Sequence, residues 1–188
     1  MVERRAFLAA GLALSGPAFA ATPSAFAATP SAFDFSFQAI EGGPLPLAPY
    51  RDRVLLIVNT ASFCGFTPQY AALQRLHEAH EARGLTVIGV PSTDFNQEST
   101  DARKVREFCD AMFGITFHIT AINHVRGERA HPFFAWAARE AGPVRWNFHK
   151  YLVSRDGRRV QGFSTQTAPD SPPMIRAIEA ALAASPAA

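Results

Sequence analysis

Apolar residues in this chain fall into runs of two kinds. Val54–Val58 is uninterrupted and continues through Asn59 and Thr60, and Leu85–Val90 is nearly so, ended by Pro91. Short runs rich in β-branched residues predict strands buried on both faces. Phe33, Phe35 and Phe37 instead alternate with Asp34, Ser36 and Gln38, which predicts a half-buried strand over 33–40. Glu41-Gly42-Gly43 turns it, and 45–47 returns as an extended piece. Helical spacing governs 68–83, where Leu73 and Leu76 begin an apolar face. Thr67 is placed to cap this helix, Pro68 to open it and Gly84 to close it. After a polar loop over 92–100, a second helix over 101–113 carries Val105, Phe108 and Met112 on one face and stops at Gly114. An extended piece at 117–121 and a helix at 132–139 come next, then a hairpin of 149–154 and 159–163 about Arg155-Asp156-Gly157. A last helix over 172–184 completes an α/β order, a central mixed sheet flanked by helices.

One residue stands out against this frame. Cys64 lies in a tight loop between the first buried strand and the helix that follows. Free backbone N–H groups and the helix dipole at such a place favour a thiolate. A buried structural Cys near a helix start is the plain alternative. A thiolate at the mouth of a buried strand in a mixed α/β sheet suggests the thioredoxin-like group of folds.

Composition narrows the rest. A length of 188 residues, 48% of them hydrophobic and 16 of them Phe, fits one domain with a sizeable core. The net charge is +2 and no Lys/Arg cluster follows a face, so nothing speaks for nucleic acid. Two Cys are too few for a disulfide scaffold, and neither they nor the six His show metal-ligand spacing. No cofactor is implied. His77 and His80 are expected at the helix surface.

Residues 1–27 are expected to lie outside the fold. Arg4-Arg5 run into Ala6-Phe7-Leu8 and an apolar stretch, with small-residue cleavage patterns at Ala18-Phe19-Ala20 and Ala25-Phe26-Ala27. They look like a twin-arginine export signal, which predicts a periplasmic destination for a domain over 28–188. Gly16 and Pro17 leave the run short of a bilayer span, so no stable membrane insertion is expected. Export places both Cys in an oxidising compartment. A plain Cys64–Cys109 disulfide therefore stands beside a pair that cycles between oxidised and reduced forms.

Three separated motifs make the picture specific. NTASFCGFTPQY around Cys64 resembles the peroxide-reducing signature of the glutathione peroxidase family. Trp146-Asn147-Phe148 with HKYLVSRDGR is similar to that family's second signature. EFCDAMFGITF resembles the segment that carries a resolving Cys in its thioredoxin-dependent branch. The resemblance covers roughly 33–182 and implies a thioredoxin-like fold. It also implies a thiol peroxidase reducing hydrogen peroxide and organic hydroperoxides. Cys64 would become a sulfenic acid, with the Trp146 indole and the Asn147 amide pointing at its sulfur. Cys109 would resolve it as a disulfide, a step expected to unwind part of the 101–113 helix. A thioredoxin-like protein, or else glutathione, would be the reductant. The segment 138–145 lacks the insertion of tetrameric glutathione-using members, so a monomer or dimer is expected.

The chain also departs from the family pattern. Where a Gln usually follows Pro in an Asn-Gln-Phe triplet, Thr93-Asp94-Phe95 stands, and the loop to Gln97-Glu98 is one residue short. An ionised Asp94 would repel a thiolate that a Gln amide would stabilise. Asp94 is therefore protonated when the thiolate forms, or accepts a proton from thiol or peroxide, or points away. Gln97 is a substitute donor only by displacement along the loop. Arg145 and Lys150 read as solvated charges rather than as a carboxylate clamp for glutathione. Competing functions are a one-Cys glutathione-dependent peroxidase, an exported thiol–disulfide reductase, a redox sensor, and a copper or haem chaperone. Thr67 stands where a reductase would place its second Cys, and a metal carrier would need a close Cys pair.

Overall fold

The computed structural model describes residues 30–184, so the proposed export signal lies outside the described residues. In chain order, β1 (Ser36–Gln38) and β2 (Pro44–Pro46) form a small antiparallel hairpin. There follow β3 (Val54–Thr60), α1 (Gln69–His80), β4 (Leu85–Pro91), α2 (Ala102–Phe113) and β5 (His118–Ile119). The chain closes with α3 (Pro132–Ala141), β6 (Lys150–Val153), β7 (Val160–Phe163) and α4 (Pro172–Ala183). The main sheet has the order β5-β4-β3-β6-β7. Its first three strands are parallel, and β6 and β7 join antiparallel.

The buried apolar runs become the middle of this sheet. Every residue of β3 and β4 is buried. Val54, Leu56 and Val58 pack toward α1, α2 and α4, while Leu55 and Ile57 face α3 and the N-terminal aromatic residues. Two hydrophobic layers thus cover both faces of one sheet. The loop over 61–68 leaves the carboxyl end of β3, where open α/β sheets place their sites.

Local chemistry shifts several expected boundaries. Ser31 and Asp34 form a reciprocal cap that winds 32–34 into a 3-10 turn, so the first strand is only three residues long. Phe33 and Phe37 are still buried. On α2 the fully buried residues are Val105 and Cys109, one turn apart, and Met112 is 63% exposed. Phe108 only packs partly against the core. His77 and His80 are not on the surface. His77 sits edge-on to Phe117, and His80 is held between the Leu76 carbonyl and Glu179.

Gly89, in the middle of β4, is required by packing rather than by backbone conformation. A Cβ there would come within 2.8 Å of Ile119 Cδ1 and 3.2 Å of Phe117 Cε2. Gly89→Ala is expected to destabilise the fold by about 1–3 kcal/mol through overpacking. Urea denaturation would show a lower midpoint at unchanged slope.

Candidate active site

The Cys64 loop is fixed by a residue expected elsewhere. Thr67 does not cap α1, because overlapping tight turns over 64–70 lead into it and Pro68 takes the cap position without a side-chain bond. Its hydroxyl accepts the Cys64 N–H at 3.1 Å and donates to the Ala61 carbonyl at 2.9 Å. The Cys64 carbonyl accepts the Thr67 N–H at 3.0 Å. Cys64 is 7% exposed, and its sulfur accepts the Phe66 N–H at 3.4 Å. Beside it, Phe63 is 67% exposed, an apolar rim at the mouth of the loop. Cys64 and Cys109 are both free thiols.

Asn59, at the end of β3, ties the second signature to the sheet. It accepts the Phe148 N–H on its carbonyl at 2.7 Å and the His149 N–H on Oδ1 at 3.0 Å, and its Nδ2 donates to the Trp146 carbonyl. Phe148 is buried with φ +60, a left-handed backbone unusual for an aromatic residue. Its ring lies edge-on to Tyr70 at 5.4 Å. This over-determined turn sets Asn147 and Trp146 ahead of β6.

Among the described residues, neither Trp146 nor Asn147 donates a hydrogen bond to the Cys64 sulfur. The buried Asn147 Nδ2 donates to Gln97 Oε1 at 2.9 Å, and the Trp146 ring packs on Phe95 at 5.1 Å and is 41% exposed. The Gln97 carbonyl in turn accepts the N–H of Phe63, the neighbour of Cys64. Gln97 therefore bridges the Cys64 loop and Asn147. With its Oε1 engaged, its Nε2 protons remain available, as does the Trp146 indole N–H.

Asp94 is turned away from this group. Its carboxylate accepts His124 Nδ1 at 2.6 Å and the N–H groups of Val125 at 2.7 Å and Arg126 at 3.2 Å. Partial burial opposes ionisation, but the bonds from His124, Val125 and Arg126 prevail and hold its carboxyl below the usual range. It lines a cavity of about 850 Å³ with His124, Arg126 and Arg129, and Cys64 is not on that wall. Of the three sequence readings of Asp94, the structure has the one that points away.

Cys109 is fully buried in the apolar layer that also holds Cys64 and Tyr70. Burial pushes its thiol up to about 11, with Glu98 and Asp110 adding to the rise and Tyr70 and Arg106 opposing it. The Tyr70 hydroxyl lies beside this thiol but makes no well-formed hydrogen bond.

Sequence reasoning gave Asn59 and Thr67 no part in the site, although both stand in the quoted Cys64 motif. It misread Lys150 as solvated, whereas Lys150 is fully buried.

The glutathione peroxidase family profile matches residues 32–138. A glutathione peroxidase homolog, BsaA of Halalkalibacterium halodurans, is 42% identical over 142 residues, covering 72% of this chain and 90% of its own. The hydroperoxy fatty acid reductase gpx1 of a Synechocystis species is 38% identical over 148 residues, covering 72% and 88%. The crystal structure of Trgpx in apo form superposes with a TM-score of 0.68 at 29% identity, over 85% of this chain and 100% of that one.

Proposed function

The chain belongs to the glutathione peroxidase family and has its thioredoxin-like fold, and from that premise we propose the chemistry each residue performs. It is a peroxidase that reduces hydroperoxides. The Cys64 thiolate attacks the distal peroxide oxygen; an S–O bond forms, the O–O bond breaks and the alkoxide leaves. The Phe66 N–H supports the thiolate, and the uncommitted N–H donors of Trp146 and Gln97 serve the leaving oxygen. Asn147 positions Gln97.

The product is a Cys64 sulfenic acid. Cys109 attacks its sulfur, an S–S bond forms and the hydroxyl leaves as water with the Cys109 proton. A dithiol reductant of the thioredoxin type reopens the disulfide by exchange. The carrying observation is a nucleophile-ready Cys64 loop with a second free thiol in the same buried layer. Residues 1–27 would deliver the enzyme to the periplasm, with the reductant supplied there.

The test is steady-state consumption of a fatty acid hydroperoxide by the full chain, with thioredoxin and its reductase or with glutathione and its own. Turnover at least tenfold faster with thioredoxin is expected. Equal or faster turnover with glutathione would overturn the two-Cys reading.

A further inference from the structure

Lys150 has no solvent exposure, although it stands in a strand whose neighbours are apolar or aromatic. Among the described residues no carboxylate pairs with it. Its Nζ donates to Gln69 Oε1 at 2.6 Å and to the Thr167 carbonyl at 2.7 Å. A buried ammonium without a counter-ion is costly, and persists where its surroundings are fixed around it.

Its position connects it to the site. An ammonium can only donate, so it turns the oxygen of the Gln69 amide toward itself and the nitrogen away. Gln69 Nε2 then donates to the Thr165 carbonyl at 2.8 Å. Thr165 Oγ1 donates to the Asn147 carbonyl at 2.7 Å, and Asn147 Nδ2 reaches Gln97 at 2.9 Å. Gln97 holds Phe63 beside Cys64. Gln69 is also the first residue of α1, the helix that follows the Cys64 loop. One charge thus anchors two walls of the site, the start of α1 and the Asn147 turn.

We propose that Lys150 is a positioning residue for hydroperoxide reduction: its ammonium orients the Gln69 amide and the 165–167 turn, and through them holds Asn147 and Gln97 at the Cys64 mouth. The inference rests on the peroxidase reading above and adds a residue to it. It also carries a pH dependence. Burial pulls the Lys150 ammonium down to about 7. The groups facing it are few. Immediately before β6 comes His149, kept neutral because burial and the Lys150 charge bring it down to about 4. From α1 comes the uncharged Gln69, and from the 165–167 turn a carbonyl. Below the Lys150 pKa the charge-assisted bonds are intact; above it they weaken and the amide is less firmly oriented.

The experiment compares the full chain with its Lys150→Met variant in stopped-flow oxidation of Cys64 by hydrogen peroxide. The ratio of wild-type to variant rate removes the titration of Cys64 itself. It is expected to be about ten at pH 6 and to fall toward one by pH 9, since loosened placement costs rate without removing a reacting group. A ratio near one at every pH overturns the proposal. Should the variant fail to fold, NMR of the Asn147 side-chain amide in a Cys64→Ser background decides. A shift with a midpoint near 7 supports the link, and flat resonances from pH 6 to 9 overturn it. That titration holds whether or not the protein turns over peroxide, so failure of the peroxidase reading and failure of the Lys150 link are separately visible.

Discussion

Replacing Cys109 by Ser is expected to lower thioredoxin-dependent turnover by about a hundredfold or more, while stoichiometric oxidation of Cys64 stays within about twofold of wild type. The asymmetry follows from where the two thiols sit. Cys64 lies at the end of β3 in a loop with an exposed apolar rim, and needs nothing from α2 to meet peroxide. Cys109 is fully buried, and burial pushes its thiol up to about 11, so at pH 7 it is held as the thiol rather than the thiolate. Attack from that position would be slow. The helix that holds it, however, buries only Val105 and Cys109 completely. Its last turn is held from the surface by the Arg106–Asp110 pair and the Arg106 bond to the Ile115 carbonyl at 3.1 Å, and on the core side by Phe113, whose ring lies 5.3 Å from that of Tyr70. Opening such a segment costs far less than unfolding the sheet. Stopped-flow fluorescence for the first step and coupled assays for turnover would separate the two effects. Hydrogen exchange should show amides near 109 losing protection in the oxidised wild type. Turnover that survives the substitution would make Cys109 structural.

What was legible in the sequence depended on whether a residue's neighbours were close in the chain. The two buried strands announced themselves by unbroken apolar runs, and the helices by spacing and by Gly84 and Gly114, so the mixed sheet followed. Cys64 was legible because a strand–loop–helix placement is local. Trp146 and Asn147 entered through motif resemblance, but their pairing with Phe95 and Gln97 did not. Asn147 reaches Gln97 fifty positions away, and Lys150 is satisfied by Gln69 and by a carbonyl in a different loop. Nothing near Lys150 in sequence told a buried ammonium from a solvated one, except that it interrupts an otherwise buried strand. Met112 misled because helical spacing names a face without saying how much of it is covered. Thr67 misled because a good N-cap residue also closes a tight turn, and the Cys64 loop claimed it first.

The loop over 92–98 is where the chain departs from its family's usual pattern, and the structure gives the departure a physical form. A Gln is usual where Asp94 stands, and a carboxylate held near a thiolate would oppose its formation. The chain resolves the conflict by rotating Asp94 onto the 124–126 segment, where one side chain and two backbone N–H groups neutralise it. Under the proposed function the amide role falls to Gln97, which accepts the Phe63 N–H on its main-chain carbonyl and the Asn147 Nδ2 on its side chain.

Two substitutions in that loop should therefore behave oppositely. Gln97→Ala is expected to slow Cys64 oxidation by about a hundredfold, the lower end of what losing one donor to a developing negative charge costs. The variant loses the uncommitted Nε2 donor and leaves the buried Asn147 amide without its acceptor, while its main-chain bond to Phe63 is unaffected. Asp94→Asn keeps the shape of the carboxylate and removes a charge that is bonded to the 124–126 segment and not to the sulfur. Its rate should stay within about threefold of wild type, with the cost appearing as lower stability where His124 and the Val125 and Arg126 N–H groups lose a carboxylate acceptor. Second-order rates with hydrogen peroxide across pH 5–9 would check both. If Asp94 were a proton acceptor for the thiol or peroxide, Asp94→Asn would abolish the acidic limb of that profile. An unchanged limb together with a slow Gln97→Ala places the donor three residues beyond the position where the family's pattern puts it.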